Sequence, residues 1–174
     1  MKSKFNKWQL CGFLFTVGVG TLLHFLYEWS GKMSLVGLFS NVNESTWEHM
    51  KLLFFPAAIF AVIQSFFFKD RQDFWSIKLK GIILGLVLIP VIYYLFNGII
   101  GKTPDWMNIA IFVISVAATF IYESKEFEEK DGEFLSKKTS IICLSLIAIL
   151  FFIFTFYPPE LGIFIDQTTN SKGI

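Results

Sequence analysis

The two histidines of this 174-residue sequence both lie close to carboxylate residues. His24 precedes Glu28 by four positions, and His49 follows Glu44 and Glu48 in the stretch NVNESTWEHMKLLFFP, residues 41–56. Residues four apart lie on one face of a helix, so an imidazole and a carboxylate are expected to share a face. Such donors suit zinc, iron or manganese better than calcium, which prefers oxygen ligands alone. A transition-metal site is therefore one hypothesis.

Three interpretations of this cluster remain open from the residues alone. A bound metal would activate a water for hydrolysis, with Glu44 as a further ligand or as the catalytic general base; the predicted metal ligands are His24, Glu28, Glu48 and His49. Alternatively, the same residues hold a cation or small polar solute in a transport or binding subunit, with Tyr93, Tyr94 and Asn97 lining the route. In the third interpretation the protein is a structural membrane protein without a catalytic site. The sequence contains no HExxH motif, nucleophile elbow or phosphate loop, so the substrate, a small molecule or a lipid, is left open.

The composition of the sequence predicts the kind of structure that positions these residues. Of the sequence, 54% is hydrophobic and only 17% is charged, whereas a soluble domain is about a quarter charged. Five apolar stretches are long enough, or nearly so, to cross a bilayer as helices of ~20 residues, and helices satisfy their own backbone hydrogen bonds in lipid. The sequence predicts an all-α integral membrane protein with a single domain, residues 1–174, and helices at about 8–29, 46–68, 78–100, 105–123 and 139–157.

The basic residues predict the orientation in the membrane. Eleven of the fifteen Lys and Arg residues flank alternate helix ends: they precede the first helix or lie in the second-to-third and fourth-to-fifth connections. The positive-inside rule then predicts a cytoplasmic N-terminus and an extracellular C-terminus. Both histidines fall at the extracellular membrane edge. A net charge of +1 without a basic stripe gives no reason to expect nucleic-acid binding.

The polar residues around His49 also have a structural interpretation. Ser45 and Glu48 form a predicted capping box at the start of the second helix, and Glu44 complements the helix dipole. Lys51 is expected to extend its ammonium group to the membrane interface and pair with a carboxylate there.

The C-terminal segment 158–174 is expected to fold back over the outer face. Its apolar residues would otherwise be exposed to water; they are Leu161, Ile163, Phe164 and Ile165. Asp166 in this tail is expected to be solvated, and Glu123 at an inner helix end to be exposed.

Three stretches carry a resemblance that covers essentially the whole chain: LHFLYEWSG at 23–31, VGLFSNVNESTWEHMKLLFFP at 36–56 and PPELGIFID at 158–166. They resemble a family of small uncharacterised multi-pass membrane proteins of Gram-positive bacteria, a domain of unknown function. NESTWEHMKL is the most distinctive part. The resemblance implies a protein of the bacterial plasma membrane and brings no activity, cofactor or substrate.

Overall fold

All regular structure in the described part of the chain is helical, which confirms the predicted all-α class. The computed structural model describes residues 2–101, 104–128 and 135–174, and no strand occurs among them. The six α-helices are α1 Lys2–Trp29, α2 Ser34–Gly37, α3 Thr46–Ser65, α4 Phe74–Ile100, α5 Asp105–Glu128 and α6 Lys137–Phe156. A single 3-10 turn at Gly162–Phe164 follows α6.

Five of these helices, α1, α3, α4, α5 and α6, are long and apolar enough to cross a bilayer. The expected number of candidate membrane spans is therefore confirmed. The apolar segment of α3 is 61% buried, against 22–33% in the other four helices. α3 therefore lies at the centre of the bundle, and the outer faces of the other helices present apolar side chains to lipid.

Several helices extend beyond the predicted bounds because aromatic packing continues past the apolar stretches. α1 begins at Lys2 rather than 8, and α5 ends at Glu128 rather than 123. In these extensions Phe5 stacks on Phe127 with ring centroids 3.6 Å apart. Phe74, in the first turn of α4, belongs to the same cluster. Burial of these rings stabilises helical turns that hydropathy alone does not mark.

Two glycines of α1 allow its close contact with α3 and α5. A Cβ atom on Gly12 would lie 2.4 Å from the ring of Phe120, and one on Gly20 would lie 2.5 Å from the carbonyl oxygen of Leu52. Pro56 lies four residues after Leu52 within α3, and proline has no N–H to donate to that carbonyl. At these two positions of α1 the neighbouring helices leave room only for glycine.

A fully buried ion pair links four helices at the end of the bundle where α4 begins. The Lys78 ammonium lies 2.5 Å from Oε2 of Glu123 and 3.1 Å from Oε1 of Gln9. Gln64 donates to the same Gln9 oxygen at 3.0 Å. The prediction that Glu123 is exposed is wrong: it is 1% exposed. A charge in an apolar interior needs a partner, and here the partner lies on a different helix.

The segment 158–174 returns to the end of the bundle where α3 begins. The side chain of Phe164 is buried against Trp47, with ring centroids 4.8 Å apart. The N–H of Ile174 donates to the carbonyl of Thr155 at 3.0 Å. Asp166, expected to be solvated, is 3% exposed, because its carboxylate accepts backbone and hydroxyl hydrogen bonds.

Candidate metal centre

The candidate site lies where the C-terminal part of α1 meets the entrance of α3. His24 is in α1, His49 is in the first turn of α3, and Glu44 lies two residues before that helix. Ser40 holds the connection against α1, because its hydroxyl accepts from the N–H of Tyr27 at 3.1 Å and donates to the carbonyl of Leu23. In a regular α-helix these two backbone groups bond to each other. The inserted hydroxyl therefore attaches the connection beside His24.

The structure brings His24, Glu44 and His49 together. Oε2 of Glu44 lies 3.3 Å from Nε2 of His49 and 4.0 Å from Nε2 of His24. The two imidazole rings have centroids 5.3 Å apart. One ligand atom from each of the three residues lies within 4.8 Å of the others. The side chains are partly open: His24 is 33% exposed, His49 23% and Glu44 47%.

The hydrogen bond of His49 determines what its second nitrogen can do. Nδ1 lies 2.9 Å from the carbonyl oxygen of Ser45, which can only accept, so Nδ1 carries a proton. In the neutral ring Nε2 then presents a lone pair to the Glu44 carboxylate, which is also an acceptor. Two facing acceptors need a cation between them, either a proton on Nε2 or a metal ion. Two ligands of a tetrahedral zinc ion lie about 3.3 Å apart, given metal–ligand distances of about 2.0–2.1 Å.

The local charges keep Glu44 ionised. The hydrogen bond with His49 lowers the pKa of Glu44 below its ordinary value, and the charges of His49 and His24 act in the same direction. Partial burial and the nearby Asp166 carboxylate oppose this shift without cancelling it. Glu44 is therefore an anionic donor at neutral pH, as a metal ligand must be.

Asn41 is a neighbour of the site that the sequence did not single out. Its Nδ2 lies 3.1 Å from Nδ1 of His24 and 3.4 Å from Oε1 of Glu44. The residue is 5% exposed, and its Oδ1 atom has no hydrogen-bond partner. Asn41 begins the stretch NVNESTWEH, but an asparagine in a polar connection usually indicates only a turn.

Two predicted ligands lie outside the cluster. Glu28 is 65% exposed and pairs at 3.4 Å with Lys32, which lies just beyond the end of α1. Glu48 is 1% exposed, lies 2.5 Å from the ammonium of Lys51 and accepts the N–H of Val42 at 3.0 Å. Both carboxylates are therefore directed to other partners.

The entrance of α3 differs in part from the predicted capping box. The Ser45 hydroxyl accepts the N–H of Glu48 at 3.4 Å, as predicted, but the Glu48 carboxylate bonds to Val42 instead of returning to Ser45. Lys51 pairs with a carboxylate as predicted, that of Glu48, but it is fully buried and also donates to the carbonyl of Gly37 at 2.7 Å and to the Thr155 hydroxyl at 2.9 Å. The connection and α6 cover this charge.

The residues proposed to line a transport route lie on another helix. Tyr93, Tyr94 and Asn97 are on α4, whereas the three clustered residues are on α1, on α3 and in the connection between them.

The comparison with known proteins identifies a family and no further relative. No curated protein and no solved structure matches the chain. A family model covers residues 1–174 from end to end. With five candidate membrane spans, the chain is a membrane protein that belongs to the family of unknown function DUF6512.

Proposed function

We propose that this protein binds one divalent transition metal, such as zinc, iron or manganese, at His24, Glu44 and His49. The observation that carries the proposal is the contact between Nε2 of His49 and the Glu44 carboxylate at 3.3 Å, with Nδ1 of His49 already donating to Ser45. A metal ion bound here would take the place of the proton between Nε2 and the carboxylate and would form a coordination bond to each.

Each residue has a distinct role in the proposed site. His49 and His24 supply Nε2, and Glu44 supplies Oε2, the oxygen that lies between the two rings. The longer His24 contact of 4.0 Å closes through side-chain rotation, for which these partly exposed groups have room. Glu44 is thus proposed as a ligand, in preference to the general-base role that the sequence left open.

The donor set favours catalysis over a purely structural metal. Structural zinc sites close all four positions with protein ligands, whereas two histidines and one glutamate leave a position for water. A metal held by these three residues would lower the pKa of a water at that position and so supply a nucleophile at neutral pH. The proposed reaction class is hydrolysis of a lipid or envelope substrate. A transport or binding role has less support, because the residues expected to line its route, Tyr93, Tyr94 and Asn97, lie on α4 and not in the cluster.

The proposed location is the extracellular face of the bacterial plasma membrane. This orientation rests on the basic residues of the sequence and the positive-inside rule. The cluster is at the end of the bundle to which the segment 158–174 returns, so both are on the extracellular side in this proposal.

Metal analysis of the purified protein tests the proposal. After loading with zinc, iron or manganese and exhaustive dialysis, we expect about one ion per chain by mass spectrometry. H24A, H49A and E44Q should each lose it. The matched control is E28Q, which removes a carboxylate on α1 that pairs with Lys32 outside the cluster and should retain the ion. Wild-type protein without a stoichiometric metal would refute the proposed function.

A further inference from the structure

We propose that Asn41 is a positioning residue that selects the nitrogen of His24 available to a ligand. This inference rests on the proposed function and concerns the control of the same site. Asn41 contacts both His24 and Glu44. It is not itself one of the proposed metal ligands, and it lies in the connection between α1 and α3, outside the membrane-spanning helices.

In the arrangement of the structure, Asn41 holds His24 in a form that does not bind metal. The Nδ2 group of Asn41 is a donor, so Nδ1 of His24, 3.1 Å away, must accept. A neutral His24 then carries its proton on Nε2, the atom directed toward Glu44 at 4.0 Å. A protonated nitrogen has no lone pair for a metal. The second bond from Nδ2 to Glu44, at 3.4 Å, holds the carboxylate in the same arrangement.

A half-turn of the Asn41 carboxamide reverses this selection. The turn exchanges Oδ1 and Nδ2 with almost no change of shape. Oδ1 then accepts a proton from Nδ1 of His24, and Nε2 becomes a free donor atom. A metal-binding histidine usually donates its second N–H to such an oxygen, and His49 already does so to Ser45.

The oxygen of the Asn41 side chain has no hydrogen-bond partner, which supports the proposal that the carboxamide can adopt two orientations. Oδ1 is buried and accepts no hydrogen bond in the present orientation, so no bond to the oxygen holds the carboxamide there. When His24 binds a metal through Nε2, its Nδ1–H gives Oδ1 a donor, and this replaces the long bond from Nδ2 to Oε1 of Glu44 at 3.4 Å. The carboxamide therefore turns when the metal binds. The free-energy difference between its two orientations then contributes to the metal affinity.

Three variants separate this role from simple packing. N41D keeps the size and offers only acceptors, so it favours the Nδ1–H form of His24. N41L keeps a similar size and removes the hydrogen bonds, and N41A is the substitute if the leucine variant does not fold. The chain has only two histidines, so ¹⁵N NMR of the imidazoles gives two ring systems, which H49A assigns.

For the metal-free protein, at a pH where His24 is neutral, we expect the Nε2–H form in wild type, the Nδ1–H form in N41D and a mixture in N41L or N41A. Zinc titration should show N41D binding at least as tightly as wild type. N41L or N41A should bind about 10–100-fold more weakly, the usual effect of removing an outer partner of a metal-binding histidine. E28Q again serves as the control that changes neither readout.

The outcomes distinguish this inference from the proposed function. If wild type binds no zinc but N41D changes the His24 spectrum as expected, the metal function fails and the positioning role stands. If wild type binds zinc while all Asn41 variants show unchanged spectra and affinities, the positioning role is overturned and the metal function stands.

Discussion

The carboxylate of Asp166 accepts the backbone N–H of Glu44 at 3.2 Å, although the two residues are 122 positions apart in the chain. The same carboxylate accepts the backbone N–H and the hydroxyl of Thr168 at 2.7 and 2.6 Å. Burial opposes ionisation of Asp166, but the hydrogen bonds from Thr168, Glu44 and Thr169 outweigh it and lower its pKa from 3.8 to about 2. The tail thus holds the backbone of the proposed ligand Glu44.

D166N should therefore destabilise the protein and weaken metal binding. Because the pKa of Asp166 is lower in the folded protein, its ionised form stabilises the fold above pH ~4. This contribution is lost as the pH falls from ~4 to ~2. The shift corresponds to about 2 kcal/mol at neutral pH. The measurement is the free energy of unfolding in detergent between pH 2 and 7, for which D166N should show a smaller decrease at the acid end than wild type.

E160Q is the matched control for D166N. Glu160 lies in the same tail and pairs with Lys172, but its side chain is 86% exposed, and exposed pairs contribute little. An equal loss of stability in E160Q and D166N would contradict the role assigned to the buried carboxylate.

E123A should be among the most destabilising single substitutions in the bundle. It leaves the ammonium of Lys78 buried without its carboxylate partner, which typically costs about 3–5 kcal/mol. K78M combined with E123L removes both charges and should be more stable than E123A. Unfolding of E123A and of the double variant in one detergent series makes this comparison, and adding K78M and E123L alone gives the coupling energy. E126Q breaks the more exposed Lys80–Glu126 pair and should cost about 1 kcal/mol or less.

G20A tests the close contact between α1 and α3. The added methyl group would lie 2.5 Å from the backbone oxygen of Leu52, so the two helices must separate, at a cost of about 1–3 kcal/mol. Gly18, on the same helix, has open space where its Cβ would be. G18A should therefore leave the melting temperature unchanged or raise it slightly. Similar losses in both variants would contradict the close contact at Gly20 as the cause, because replacing glycine by alanine in itself favours a helix.

The membrane-spanning architecture could be predicted because it depends on composition. An apolar segment of sufficient length has few alternatives to a helix in lipid, and five such segments were recognisable. The helix ends were less predictable, since the contact between Phe5 and Phe127 involves residues far apart in the chain.

The sequence could predict only those residues of the candidate site that are recognisable by their type and by their near neighbours in the chain. His24 and His49 drew notice as the only two histidines, and the structure has them close together; metal ligation itself stays a prediction. The structural role of Glu48 was harder to predict. Its partner Lys51 is buried, and the ammonium group also donates to the carbonyl of Gly37 and the hydroxyl of Thr155. No local pattern shows that the connection and α6 meet there. The pairing of Lys78 with Glu123 was hidden for the same reason.

The two buried ion pairs make different demands on biogenesis. Glu48 and Lys51 are three residues apart on α3, so this helix leaves the ribosome with its opposite charges already adjacent. Lys78 is synthesised 45 residues before Glu123. Until α5 is made, the ammonium of Lys78 has no access to this carboxylate. The pair therefore forms only when both helices are present, and it couples the packing of α4 to that of α5.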